Sequence, residues 1–126
     1  MLATLSTLGS LCLSQLVGGA WETFYEFEGP QAGAWLGSSV AGAGDVNGDG
    51  FDDILLGARN ASFGNLACGL AYVYSGADGS LLHLLHGEAP NDYFGSHVAA
   101  AGDVDADGYA DVVIVAARAD PQGRGD

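Results

Sequence analysis

Two short stretches concentrate oxygen ligands at fixed spacing: Asp45-Val46-Asn47-Gly48-Asp49-Gly50-Phe51-Asp52-Asp53 and Asp103-Val104-Asp105-Ala106-Asp107-Gly108-Tyr109-Ala110-Asp111. Both fit D-x-[DN]-x-D-G-x-x-D. Oxygen side chains at positions 1, 3 and 5, a glycine at 6 that turns the backbone, a carbonyl at 7 and a carboxylate at 9 can surround a hard cation needing about six to eight oxygens at ~2.3–2.6 Å. Neither stretch carries the nitrogen or sulfur ligands favoured by zinc or copper. Asp45, Asp49, Asp52, Asp53, Asp103, Asp105, Asp107 and Asp111 are half of the chain's 16 acidic residues. Without a counter-ion they repel one another at close range.

The type of loop follows from what comes after it. An EF-hand needs Glu at position 12 and a following helix, but position 12 is Leu56 in one stretch and Ile114 in the other, both in strand-like runs. Dockerin modules share the opening Gly44-Asp45-Val46-Asn47-Gly48-Asp49-Gly50, yet they too continue into a helix with an acidic twelfth residue. Both types are rejected.

The elements that must position these loops are short strands. Gly37 to Asp53 aligns without a gap with Gly95 to Asp111, and Asp103 stands 58 positions after Asp45. Gly29 then faces Gly87, Trp35 faces Tyr93, and Ile54-Leu55-Leu56 faces Val112-Val113-Ile114. β-branched or alternating segments separated by Gly, Asp and Asn predict strands over Ser38–Ala43, Asp53–Ala58, Leu70–Ser75, Ser80–Leu85, Ser96–Ala101 and Ala110–Ala117. Asn47–Gly50 and Gly76–Gly79 supply the positive-φ positions that hairpin connections require. Four strands per repeat of this length is the pattern of a β-propeller blade, and about four to eight blades are needed to close a ring. Less than two periods are present, so the expected fold is all-β, a partial β-propeller belonging to a longer chain, with self-association of copies as the less favoured way to close it.

Phe94-Gly95, the Gly-Asp-Val-(Asn/Asp)-x-Asp-Gly-(Phe/Tyr)-x-Asp loop, the apolar run behind it and the strand Gly69-Leu70-Ala71-Tyr72-Val73-Tyr74-Ser75-Gly76 together resemble FG-GAP repeats. These are the blades of the seven-bladed propeller of integrin alpha subunits and of many secreted bacterial proteins. The resemblance covers nearly everything after Ala20. It implies about two blades of four antiparallel strands and two calcium sites. One Ca2+ would be held by Asp45, Asn47, Asp49 and Asp53 with the Phe51 carbonyl, the other by Asp103, Asp105, Asp107 and Asp111 with the Tyr109 carbonyl, each pinning a hairpin loop at the propeller rim. Leu36-Gly37 stands in place of Phe-Gly in the first repeat, and the Gly-Ala-Pro element reads Gly57-Ala58-Arg59 and Ala116-Ala117-Arg118. No expected ligand is altered by these departures.

Composition narrows the remaining functions. The 126 residues are 48% hydrophobic and include 21 Gly, which excludes a disordered tail and collagen. Three Lys+Arg against 16 Asp+Glu give a net charge of −13, and there is no Lys, so nucleic acid is excluded as a partner and anionic lipid is disfavoured. Residues Met1–Ala20 carry no charge, have an apolar middle and end in Gly18-Gly19-Ala20, which reads as a secretory signal peptide; an apolar first strand is the alternative. No later run is long enough to span a bilayer, so no transmembrane segment is expected. Leu11 before Cys12 is too bulky for a lipoprotein signal, and Cys68, the one thiol left after cleavage, reads as a small buried hydrophobe. The expected organisation is a signal peptide over 1–20, a first repeat with its preceding strand over 21–80, and a second, incomplete repeat over 81–126.

Other signals carry less. His83 and His86, three apart in a strand, point to opposite faces. Gly37-Ser38-Ser39-Val40-Ala41 lacks the final Gly of a nucleophile elbow and the context for a triad, so catalysis is not expected. Arg124-Gly125-Asp126 matches a tripeptide that many integrins recognise, a short match that chance readily supplies in a chain this rich in Gly and Asp. Trp35, Tyr72, Tyr74, Tyr93 and Phe94 are expected in the blade core. The functional expectation is a secreted or cell-surface, calcium-binding, non-enzymatic segment with a structural or adhesive role toward an unidentified protein or glycan. An accessory propeller of a larger secreted hydrolase and a glycan-binding lectin are the alternatives.

Overall fold

A computed structural model of the chain describes residues 2–5, 10–17 and 20–119, with side chains from Tyr25 onward. Every regular element among them is a strand: β1 (Leu2–Leu5), β2 (Ser10–Val17), β3 (Ala20–Glu28), β4 (Leu36–Gly44), β5 (Asp53–Ala58), β6 (Leu70–Tyr74), β7 (Leu81–His86), β8 (Phe94–Gly102) and β9 (Asp111–Ala116). They form three antiparallel sheets ordered β1-β2-β3, β4-β5-β6-β7 and β8-β9. The architecture is all-β, a partial propeller with one complete four-stranded blade and the first two strands of the next.

The expected strands from Ser38 onward all form, within two residues at each end. β7 hydrogen-bonds in the first blade although the 80/81 division places it with the second repeat, so sheet and sequence period part company at this strand. The β1 and β2 backbones lie within the expected signal segment, β2 pairing with β3. Gly18, Gly19 and Arg124-Gly125-Asp126 lie outside the described residues.

β5 explains why the middle of a blade reads as an unbroken apolar run. All six of its residues are buried, because it is covered on both faces. Alternation sends Ile54, Leu56 and Ala58 into one cluster with Phe27, Leu36, Leu70 and Tyr72, while Leu55 joins Ala43 and Val73 in another, packed against Val98, Val112 and Ile114 of the second blade. Phe27 stacks on Tyr74 at 4.1 Å between ring centroids, so β3 covers the first blade as the second blade covers its other side.

The blades approach closely enough to need glycine at the contact. A Cβ on Gly57 would collide with the Gly95 carbonyl, and Gly95 itself has φ +79°. Ser39 Oγ accepts a hydrogen bond from the Val98 amide at 3.0 Å, and the Phe94 amide donates to the Cys68 carbonyl at 3.0 Å, stitching one sheet to the next. Cys68 is fully buried and unpaired, as its reading as a small hydrophobe requires.

The aromatic expectation holds for Tyr72 and for Tyr74, which packs against the core, and fails for Trp35, which is exposed, and for Tyr93 and Phe94, which are half-buried outside both clusters. Trp35 is 48% exposed under the Arg59 guanidinium at 4.6 Å, and Tyr93 lies under Arg118 at 4.9 Å. Both residues have positive φ, 59° and 55°. Arginine stacked on a ring keeps its polar edge in water while the ring loses apolar exposure.

Candidate metal centre

The two acidic stretches are the β4–β5 and β8–β9 turns, at the same end of adjacent blades. Each opens at a positive-φ glycine, Gly44 (72°) or Gly102 (73°), and passes its sixth position at Gly50 (87°) or Gly108 (92°). A side chain is strained in that region, which accounts for glycine at both places. The fourth position departs from the rule: Gly48 has φ 77° but its counterpart Ala106 takes 61° with a methyl group attached.

Five hydrogen bonds recur at equivalent positions. The first carboxylate accepts from the fifth and sixth amides, at 3.0 and 2.8 Å on Asp45 and at 3.0 and 2.9 Å on Asp103. The third side chain accepts from the fifth amide, at 3.2 Å on Asn47 and 3.1 Å on Asp105. The seventh amide donates to the fifth carboxylate, Phe51 to Asp49 at 2.9 Å and Tyr109 to Asp107 at 2.8 Å. The ninth carboxylate closes each loop on the second amide, Asp53 on Val46 and Asp111 on Val104, both at 2.9 Å. Side chains that accept from local amides compete with regular structure, so these residues build a turn of fixed shape.

The loops differ in depth and in where their carboxylates stand. Asp53 is 1% exposed and also accepts the Gly76 amide at 3.0 Å, tying the loop to the β6–β7 turn. Asp103, Asp105 and Asp111 each present a carboxylate oxygen, all within 4.8 Å of one another; in the first loop Asn47 takes the place of Asp105, while Asp52 stands where the second loop has Ala110, so each stretch carries four carboxylates. The Phe51 and Tyr109 side chains are 58% and 48% exposed.

Electrostatics follows the hydrogen bonds. The Gly50 amide, joined by those of Gly48, Asp49 and Asn47, holds the Asp45 carboxyl below its usual range against a smaller desolvation effect. Asp105 goes the other way. The Asp107 amide lowers it, but desolvation and the negative charges of Asp107, Asp111 and Asp103 together outweigh that bond and raise it. A group of carboxylates that resist sharing one small volume is a donor set that suits a hard divalent cation, so the residues fit calcium by their chemistry.

Of the ten residues expected at the metal sites, Asp103, Asp105 and Asp111 are the carboxylates that come within 4.8 Å of one another; Asp53 and Asp111 are the first residues of β5 and β9, and the others lie in the turns before them. The rim pairs Trp35–Arg59 and Tyr93–Arg118 were not anticipated from sequence. Trp35 and Tyr93 are 58 apart, but Arg59 and Arg118 are offset by one more position, so an ungapped alignment hides the second pair. His83 lines a cleft beside Val46 and Tyr109, whereas His86 stacks on Phe63 at 4.1 Å, consistent with opposite faces of β7. Among the described residues no helix is long and apolar enough to cross a membrane.

The family model described as FG-GAP repeat matches residues 36–77 and 94–126. The chain is 33% identical to integrin alpha-IIb of Homo sapiens over 129 aligned positions, covering 94% of this chain and 12% of the relative. It is 36% identical to integrin alpha-3 of Cricetulus griseus over 81% of this chain and 10% of the relative. With integrin alpha-5 of Xenopus laevis it shares 39% identity over 73% of this chain and 9% of the relative. The chain thus spans about a tenth of the length of these curated relatives.

Proposed function

The chain belongs to the FG-GAP repeat family, and on that premise we propose that it is a calcium-binding, extracellular β-propeller segment with a structural and adhesive, non-enzymatic role. The observation that carries the calcium reading is the recurrence of one loop, with the same five amide-to-carboxylate bonds, at the same end of two adjacent blades. Asp45, Asn47, Asp49, Asp53 and the Phe51 carbonyl would hold one ion, and Asp103, Asp105, Asp107, Asp111 and the Tyr109 carbonyl the other. A bound cation offsets the mutual repulsion of the carboxylates, and the loops then hold the blade ends in register.

The adhesive part of the proposal draws on the integrin alpha relatives, and the partner class is a protein or glycan met by the propeller surface. Extracellular placement draws on the same relatives and on the uncharged N-terminal segment. In this reading residues 1–20 are a leader, 21–80 a first repeat and 81–126 a second. N-terminal sequencing of the secreted product separates the two possibilities: a start at Trp21 identifies a leader, and a start at Met1 keeps β1 and β2 in the mature sheet.

Thermal unfolding of the full chain, followed by far-UV circular dichroism in millimolar calcium and again in chelator, tests the metal reading. A ligand bound only by the folded state raises the midpoint by mass action. The expected result is a cooperative melt that moves up with calcium; a cooperative melt indifferent to calcium overturns the proposal.

A further inference from the structure

The two loops are in direct contact. The Asp45 carbonyl, at the first position of loop 1, accepts a hydrogen bond from the Ala110 amide, at the eighth position of loop 2, at 3.0 Å. Beside it the backbone of Gly48 rests on the Tyr109 ring, so closely that a methyl group there would lie 2.8 Å from Tyr109 Cε1. A methyl on Gly44 would lie equally close to Ala110 Cβ, at 2.8 Å. Three backbone positions of loop 1 are thus seated on two consecutive residues of loop 2.

Asp45 and Tyr109 are also expected ligands of their own loops. Asp45 offers its side chain inward to loop 1 and its carbonyl outward to Ala110. Ala110 is flanked by Tyr109, whose carbonyl is an expected ligand of loop 2, and by Asp111, whose carboxylate closes that loop on Val104 at 2.9 Å. Moving the Asp45 backbone therefore moves the peptide that carries both Tyr109 and Asp111.

We infer that the two loops bind calcium cooperatively, loop 1 setting the geometry of loop 2 through the Asp45 carbonyl–Ala110 amide bond and the Gly48–Tyr109 contact. This rests on the calcium reading proposed above. Closing loop 1 fixes the position of the Asp45 carbonyl, which orders the Tyr109–Asp111 segment before loop 2 closes; the ordering cost is then met once for both sites. Reciprocity requires loop 2 to favour closure of loop 1 by the same factor.

The test is a calcium titration of the full chain, with the Gly50 and Gly108 amide resonances in ¹H–¹⁵N spectra reporting loop 1 and loop 2 separately. Asp49→Ala removes a loop 1 ligand while keeping the Asp45 carbonyl and the Ala110 amide. The expected result is that Asp49→Ala weakens calcium binding at Gly108 by about fivefold, the low end of measured couplings. Once the Asp45–Ala110 bond is cut by Ala110→Pro, Asp49→Ala should leave the Gly108 affinity unchanged. Tyr109→Ala removes the ring contact and keeps that bond, so it should reduce the effect of Asp49→Ala without abolishing it. Equal affinity at Gly108 with and without Asp49→Ala in the otherwise intact chain overturns the coupling whether or not Ala110→Pro folds, as does a weakening that persists in Ala110→Pro. No calcium response at either glycine overturns the calcium reading itself, and the coupling with it.

Discussion

Leu55 and Val113 occupy equivalent positions 58 residues apart in neighbouring blades, yet Leu55 is fully buried and Val113 is 51% exposed. The second blade covers Leu55, packing Val98, Val112 and Ile114 on its side of β5. Truncation should expose the asymmetry. Leu55→Ala is expected to cost about 2–5 kcal/mol in urea unfolding, because it loses burial and leaves a cavity. Val113→Ala should stay within about 0.5 kcal/mol, as for an ordinary surface change. Equal costs would mean that the two faces are equally covered.

Ala106 holds the left-handed conformation that Gly48 holds in the other loop, at φ 61°. Relieving this strain outweighs the extra chain entropy of glycine. Ala106→Gly is expected to stabilise the chain by about 1 kcal/mol, with no change in the carboxylate positions. A destabilisation measured in the same denaturant titration would contradict the loop conformation.

Asp53 and Asp111 both close their loops, but only Asp53 is buried and accepts a second amide, that of Gly76. Replacing its carboxylate by an amide leaves one N–H donor facing another. In chelator, Asp53→Asn should cost about 1–3 kcal/mol, the penalty for an unsatisfied buried group, and Asp111→Asn clearly less. Calcium-free unfolding of both variants makes the comparison independent of any ion.

Burial pushes the Tyr72 phenol up to about 12, with the neighbouring Tyr74 adding to the shift. Its folded value lies above the ordinary value of about 10. The neutral ring therefore contributes stability that is complete below about pH 10 and is lost as pH rises through about 12. Ultraviolet titration of the phenolate should show one tyrosine ionising near 12 in the folded chain, absent in Tyr72→Phe. A Tyr72 that ionises near 10 would mean that the β6 core is open to water.

Much of the molecule was legible in the residues themselves. The acidic turns depend on local chemistry, Asx side chains accepting nearby amides and glycines at positive φ, and both are read directly from spacing. The strands from β4 to β9 followed from alternation and turn residues, and the 58-residue repeat made the blade pattern visible before any coordinate. Tertiary structure decided what depends on residues distant in sequence. Periodicity alone does not say that β5 is buried on both faces, that Trp35 and Tyr93 leave the core to sit beneath arginines, or that β7 joins the first blade. Nor does it place the Asp45 carbonyl against the Ala110 amide, a contact between loops that exists only because two blades stack with their turns at one end. The physical division is one of range: a turn is closed by hydrogen bonds between neighbours, whereas burial and loop-to-loop contact are set by whichever surface the rest of the chain brings to cover them.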